Sequence, residues 1–489
     1  MPYQDHSISS LWKREFNETI ADLDDNLSPR RAAESLRFVI GTGLLALDDI
    51  QNEPEKFFLA HRMLAKHAHR IGSGFCARFA LHYNLFAGSV MALGSPQQAK
   101  QFVLRNEIRP SLGCFALTEQ RAGDQSSFMV DTVAELSQDE KSFVLHTPYD
   151  TAAKTWIAQG LVADEAIVIA NMIVHNHSYG PQAFLVRLRD EKTGELLDRI
   201  TMLDMGPRPE DGGLDLNNAR ITFDHLRIPL SCHLCRYLKI QNGTVRHPLA
   251  KKIRIMDIIG QRTYTGRLTA AQSALTYTRR KLERTSNRME GRMCWTPLVT
   301  SNRQQSRTRK ISPSGGGANL QVSKAFLSHA FVTLDNLDSL AAKIEAELCQ
   351  CQLRAITPKD RLQQAIAVAK VEAVETCIEI CASLHDQQND PHKGEDFLLC
   401  CKYAEGDSHT LMQKMARDLA RTGGEGSNWQ VKAALDDLKQ EMIYVQMGSG
   451  CKTMQAWERC GEQVYTVAEA HIESVLLSYG CLVNGQNKP

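Results

Sequence analysis

The chain has 489 residues, 43% of them hydrophobic, and carries 57 Lys and Arg against 56 Asp and Glu, for a formal net charge of +1. That balance gives no general attraction to nucleic acid, and no apolar run reaches the roughly 18 residues of a membrane span. A chain of this length buries a substantial core and divides into roughly two to four domains, and its 14 cysteines, with no leading signal peptide, are expected to be free thiols.

Periodicity divides the chain into three parts. Residues 1–111 read as helical, with Leu36, Ile40 and Leu44, then Phe58, Met63 and Ala68, facing one side. Residues 112–240 read as a β-domain: Ala166 to Val174 is a continuous apolar run, Phe184, Val186 and Leu188 alternate, and turns are signalled at 190–194 and 211–213. Residues 241–489 read as a helical bundle, with one stripe from Leu362 through Ile366, Ala369, Ala373, Cys377 and Ile380 to Leu384, and another from Val431 to Val445. Within the bundle, residues 285–319 have few periodic apolar positions and are expected to form a loop excursion. Cys232-His233-Leu234-Cys235 lacks a second ligand pair, so no metal is expected.

Three stretches carry chemistry. Residues 402–419 place Glu405 beside Gly406, just before a helix whose Leu411, Met415 and Leu419 recur four apart; Glu405 is either a base or a carboxylate favouring the helix dipole. Residues 113–124 read Gly-Cys-Phe-Ala-Leu-Thr-Glu-Gln-Arg-Ala-Gly-Asp, where the Thr118 hydroxyl can hydrogen-bond a polar ring edge and Gly123 allows close backbone approach. Residues 154–160 read Lys-Thr-Trp-Ile-Ala-Gln-Gly, in which Trp156 offers a flat, polarizable surface.

In order and spacing these stretches resemble the acyl-CoA oxidase and dehydrogenase superfamily of flavoproteins. The resemblance implies an α+β multidomain chain with an N-terminal helical domain, a middle β-domain and a C-terminal helical bundle. It implies FAD as cofactor, Glu405 as the base that removes the α-proton of an acyl thioester, and Thr118, Gly123, Trp156 and Ala158 around the flavin. Arg303, in Asn302-Arg303-Gln304-Gln305, resembles the family arginine that reaches the dinucleotide end of FAD; it also lies in a basic run that reads as a solvated loop. His82 to Val90 and Asp215 to Pro229 resemble further family segments.

Departures refine the expectation. Dehydrogenases of the family usually carry Thr two positions after the tryptophan; Ala158 stands there, which leans to the oxidase branch. The family's Gly-Gly-x-Gly turn is replaced by Ser383-Leu384-His385-Asp386-Gln387-Gln388, so that cofactor loop is expected to be rebuilt. The leading expectation is FAD-dependent oxidation of an acyl thioester to the trans-2-enoyl product, with O2 reduced to H2O2. The alternatives are a dehydrogenase of acyl-CoA or acyl-carrier protein that uses an electron-transfer flavoprotein, and a non-catalytic structural relative. Relatives imply a homodimer or homotetramer. The ending Asn487-Lys488-Pro489 lacks a Ser-Lys-Leu signal, so a cytoplasmic location is expected. Burial under a thioester is expected to raise the Glu405 pKa towards neutrality.

Overall fold

The computed structural model describes residues 8–25, 28–121, 130–206, 216–241, 243–246, 255–290, 324–385, 395–449 and 452–481. Its first part is helical: α1 (Ser10–Ala21), α2 (Pro29–Gly41), α3 (Asp49–Asn52), α4 (Pro54–Ala65), α5 (Ala68–Ile71), α6 (Ser73–Ala80), α7 (Gly88–Leu93) and α8 (Pro96–Ile108). Local chemistry sets the helix starts. Ser28 caps α2 ahead of Pro29, and Ser95 with Gln98 forms a reciprocal capping box ahead of Pro96 in α8. Between α6 and α7 the chain widens into a π-helical turn, Leu81–Ala87.

The strands are β1 (Gly113–Ala116), β2 (Val133–Leu136), β3 (Ser142–His146), β4 (Lys154–Ala158), β5 (Glu165–Val174), β6 (His177–Arg187), β7 (Ile200–Gly206), β8 (Asn218–Phe223) and β9 (Leu226–Pro229), followed by the hairpin β10 (Lys239–Gln241) and β11 (Thr244–Arg246). The apolar run of β5 is buried on both faces because β5 is central. It pairs in parallel with β1 and β2 and antiparallel with β6, and the sheet continues through β3 to β9. A second antiparallel sheet has the order β4-β8-β7. The β4–β8 ladder shifts register between Lys154 and Ile157, and within that irregularity Trp156 adopts φ +58°.

Helices return as α9 (Ile255–Glu290), α10 (Lys324–Leu353), α11 (Asp360–His385), α12 (Glu395–Tyr403), α13 (Ser408–Thr422), α14 (Trp429–Ser449), α15 (Thr453–Arg459) and α16 (Gly461–Ser478). The α11 stripe from Leu362 to Leu384 is buried at every named position. Two boundaries differ from the sequence reading. The β10–β11 hairpin carries strand structure past residue 240, and α9 continues to Glu290, past the expected departure at 285. Among the described side chains of α9, Leu282 is the last in the apolar core, so the turns that follow continue on backbone hydrogen bonding. One apolar core joins the N-terminal helices to α9–α12, and a second fills the β-domain. No described helix is long and apolar enough to cross a membrane.

Candidate active site

Glu405 lies in the reversal between α12 and α13. The Ala404 N–H still donates to Cys400 O at 3.0 Å; Glu405 then adopts φ +58° and Gly406 φ +103°. A left-handed conformation is costly for a non-glycine residue and persists only where its surroundings impose it. Two cations supply that constraint. Lys370, fully buried on α11, donates from Nζ to the carbonyls of Lys402 and Gly406, the latter at 2.8 Å, and Arg267 on α9 donates from Nε to Glu405 O at 2.9 Å. The helix-dipole alternative for Glu405 does not fit this geometry. The first N–H groups of α13, on His409 and Thr410, donate to Asp407, which is the N-cap.

The Glu405 carboxylate rests against α9 where that helix has Gly266. A Cβ at Gly266 would lie 2.3 Å from Oε1 and 2.5 Å from Cδ. Asn84, on the π-helical turn, donates from Nδ2 to Glu405 Oε1 at 3.3 Å, and to Arg262 O at 2.9 Å, while its Oδ1 accepts from Thr265 at 2.6 Å. Desolvation raises the Glu405 pKa from 4.5 to about 7, against opposing contributions from Arg267, the Asn84 hydrogen bond and Lys370. A carboxylate so placed titrates at neutral pH, as a general base requires.

Glu405 opens onto a cavity of about 260 Å³ that also takes in Ala158 from β4, Leu81 from the π-helical turn and Phe397 from α12. Ala158 and Glu405 therefore share one cavity. Trp156 is half-buried on the same strand as Ala158, and the N–H of Thr155, just before Trp156 on that strand, donates to Thr118 O at 2.9 Å, so Thr118 lies beside the strand that carries Trp156 and Ala158. Beneath it, Lys154 and Glu119 form a wholly buried ion pair at 2.7 Å, and Glu119 also accepts from Thr132 and the Asp131 N–H. This network fixes the segment that carries Thr118. Gly123 and Arg303, the other expected cofactor contacts, lie outside the described residues, as do residues 386–388 of the replaced glycine turn.

Several members of the site were not singled out from the sequence. Asn84 depends on a π-helical turn, which has no periodic signature, whereas Gly266 had one available signal: a glycine inside a long helix, where it weakens the helix. Three neighbouring α9 residues also make polar contacts: Arg267 donates to Glu405 O, Tyr264 donates to Gln363 at 2.7 Å, and Arg262 donates to Gln352 at 3.1 Å.

Comparison with known proteins gives a consistent result. The chain is 33% identical over 214 residues to acyl-coenzyme A oxidase acox-1.3 of Caenorhabditis elegans, which is 43% of this chain and 31% of that protein. It is 33% identical over 175 residues to acyl-coenzyme A oxidase 1 of Yarrowia lipolytica, 35% of this chain and 25% of that protein. The matched segments thus span about a third or less of those relatives. No family model matches the chain. In structure, acyl-CoA oxidase 3 of Yarrowia lipolytica superposes with a TM-score of 0.68 at 19% identity, covering 96% of this chain and 74% of that one. The fold is that of the acyl-CoA oxidases. A second neighbour, acyl-CoA oxidase-2 of Caenorhabditis elegans bound with FAD, ascaroside-CoA and ATP, matches with a TM-score of 0.68 at 19% identity over 96% of this chain and 75% of that one. The sequence likeness is to acyl-CoA oxidases over part of their length, and the structural likeness shows the fold.

Proposed function

We propose that this chain oxidises an acyl-CoA thioester to its trans-2-enoyl product with FAD as cofactor and O2 as final electron acceptor, giving H2O2. The observation that carries the reading is one carboxylate, with a pKa of about 7, sharing a cavity with Ala158, on the strand that carries Trp156 and that pairs through the Thr155 N–H with Thr118 O. That arrangement fits a flavin. The Thr118 hydroxyl makes no hydrogen bond to a described residue, Trp156 is a half-buried aromatic on the same strand, and Ala158 adds no bulk or hydroxyl where the cavity meets the strand.

Glu405 takes the α-proton: the C–H bond breaks, the proton goes to a carboxylate oxygen, and the freed electron pair forms the new double bond as hydride departs from the β-carbon. FAD, when bound, supplies the acceptor for that hydride. Asn84 holds Oε1 and leaves the second oxygen without a hydrogen bond from it, and Arg267 and Lys370 keep the reversal from rotating. The Ala158 position favours O2 over an electron-transfer flavoprotein as acceptor only through the absence of a side-chain hydroxyl there.

The test is a spectrum of the purified protein with FAD, before and after anaerobic addition of an acyl-CoA. The yellow band should bleach in the parent and persist in Glu405→Gln, with oxidation slowed by about a thousand-fold or more. Peroxide formed in air, against dye reduction under nitrogen, separates oxidase from dehydrogenase. Protein that stays colourless with added FAD would show the reading to be wrong and favour the non-catalytic relative.

A further inference from the structure

The two sheets of the β-domain meet at a cluster of ligating side chains, none of which lines the Glu405 cavity. His146 closes β3 of the larger sheet, and Asp224 and His225 are the two residues that link β8 of the smaller sheet to β9 of the larger. The β3–β9 register pairs Leu145 with Leu226, so one step further His146 faces His225. In a regular strand Asp224 and His225 would point to opposite faces. His225 instead adopts φ +51°, its Nδ1 lies 2.8 Å from Asp224 Oδ1, and its ring stacks on His146 with the centroids 3.8 Å apart. One ligand atom from each of the three lies within 4.8 Å of those of the other two, and no other group of His, Cys, Asp or Glu gathers in this way among the described residues.

The side chains can close on an ion. In His146, Nδ1 is enclosed without a hydrogen-bond partner among the described residues, which leaves Nε2 as the nitrogen open to an ion. The side chains of His225 and Asp224 are 58% and 74% exposed, so solvent reaches both and neither is held by packing. Ligands about 2.1 Å from a tetrahedral Zn2+ stand roughly 3.4 Å apart. The widest separation therefore has to shrink from at most 4.8 Å, while the 2.8 Å pair of His225 Nδ1 and Asp224 Oδ1 opens slightly. Stacked rings aim their nitrogens side by side, and the exposed His225 ring supplies the rotation that makes them converge. Arg199 lies 3.9 Å from Asp224 Oδ2, and water screens that pair because both groups are largely exposed.

We propose that His146, Asp224 and His225 form a site for a divalent transition metal, with two imidazole nitrogens and one carboxylate oxygen as ligands and water in the remaining position. Zn2+ suits this donor set and tolerates its geometry, whereas Mg2+ and Ca2+ prefer oxygen ligands. The ion clips the seam between the sheets. There the Thr147 N–H donates to Phe223 O at 2.8 Å and the Phe223 N–H to Thr147 Oγ1 at 3.0 Å, and three metal–ligand bonds reinforce that tie. Because β8 pairs with β4, the strand of Trp156 and Ala158, the ion stabilises the β-domain from outside the reacting groups.

The experiment strips the FAD-loaded protein of metal with a chelator, then titrates it with ZnCl2 by calorimetry and with CoCl2 by visible absorption. One Zn2+ should bind per chain with a Kd in the micromolar range, and MgCl2 should not bind at the same concentrations. The melting temperature should rise by roughly a few degrees at about a hundred-fold excess of Zn2+ over Kd. His146→Ala and His225→Ala should each weaken binding by about a hundred-fold or more and lose the thermal shift. Co2+ should give d–d bands without the thiolate charge-transfer band that binding at Cys232 and Cys235 would produce. Should His146→Ala not fold, His225→Ala and Asp224→Ala decide, both changes falling on exposed side chains. No Zn2+ binding in the parent, an affinity unchanged in His225→Ala, or a thiolate band that Cys232→Ser removes would each overturn the proposal.

Discussion

Gly266 has no side chain, and the Glu405 carboxylate occupies the space. An alanine there would put its Cβ within 2.5 Å of three Glu405 atoms, all near the free end of a flexible side chain. The fold can therefore absorb the change by moving the carboxylate, and the helix itself gains, since alanine is about 1 kcal/mol better than glycine in a helix interior. Catalysis cannot absorb it so cheaply, because a displacement of about 1 Å at a reacting group costs on the order of a hundred-fold. Gly266→Ala is expected to melt at or above the parent's temperature by circular dichroism while kcat falls by about a hundred-fold. At this scale Glu405, Thr118, Trp156 and Ala158 could be proposed from the sequence because each stands in a recognisable run of neighbours. Asn84 and Gly266 could not, since their roles appear only when α9, the π-helical turn and the α12–α13 reversal meet.

The α12–α13 reversal works as a unit through Lys370, whose ammonium bridges Lys402 O before the turn and Gly406 O after it. Glu405 must be ionised to accept a proton, so the rate should rise with pH through about 7. Lys370, although its own pKa is lowered to about 8 by burial, stabilises the ionised carboxylate. Lys370→Met removes that stabilisation, so the rising limb should move to higher pH. It also frees the reversal, so kcat at the plateau should drop by about ten-fold. A merely structural lysine would lower activity without displacing the limb, and an unmoved pH profile of kcat would show that. The helices themselves were legible: Leu411, Met415 and Leu419 are buried on α13, and the α11 stripe faces the core that holds Lys370. The reversal's left-handed backbone was not, because a Glu-Gly pair does not announce that the glutamate takes a positive φ.

Helix, sheet, helix was the order expected, and the sequence divided the two helical parts as separate domains, whereas the structure gives them one apolar core. Periodicity reports which face of a helix is buried and is silent about which distant helix covers it. The join also contains a polar tie. Arg62 of α4 pairs with Glu345 of α10, both 5% exposed as side chains, and Glu345 also accepts from Gln272 of α9. Removing either ion leaves the other buried without its opposite charge, at a cost of roughly 3–5 kcal/mol, whereas removing both replaces a desolvated pair by apolar packing. Arg62→Met and Glu345→Met should each unfold at clearly lower denaturant, and the double variant should lose less than either single change. Both helical parts should fail together, because the core they share contains this tie. Separate transitions for residues 1–111 and the C-terminal bundle, or a double variant worse than both singles, would mean that the two parts are held independently and that the ion pair does not couple them.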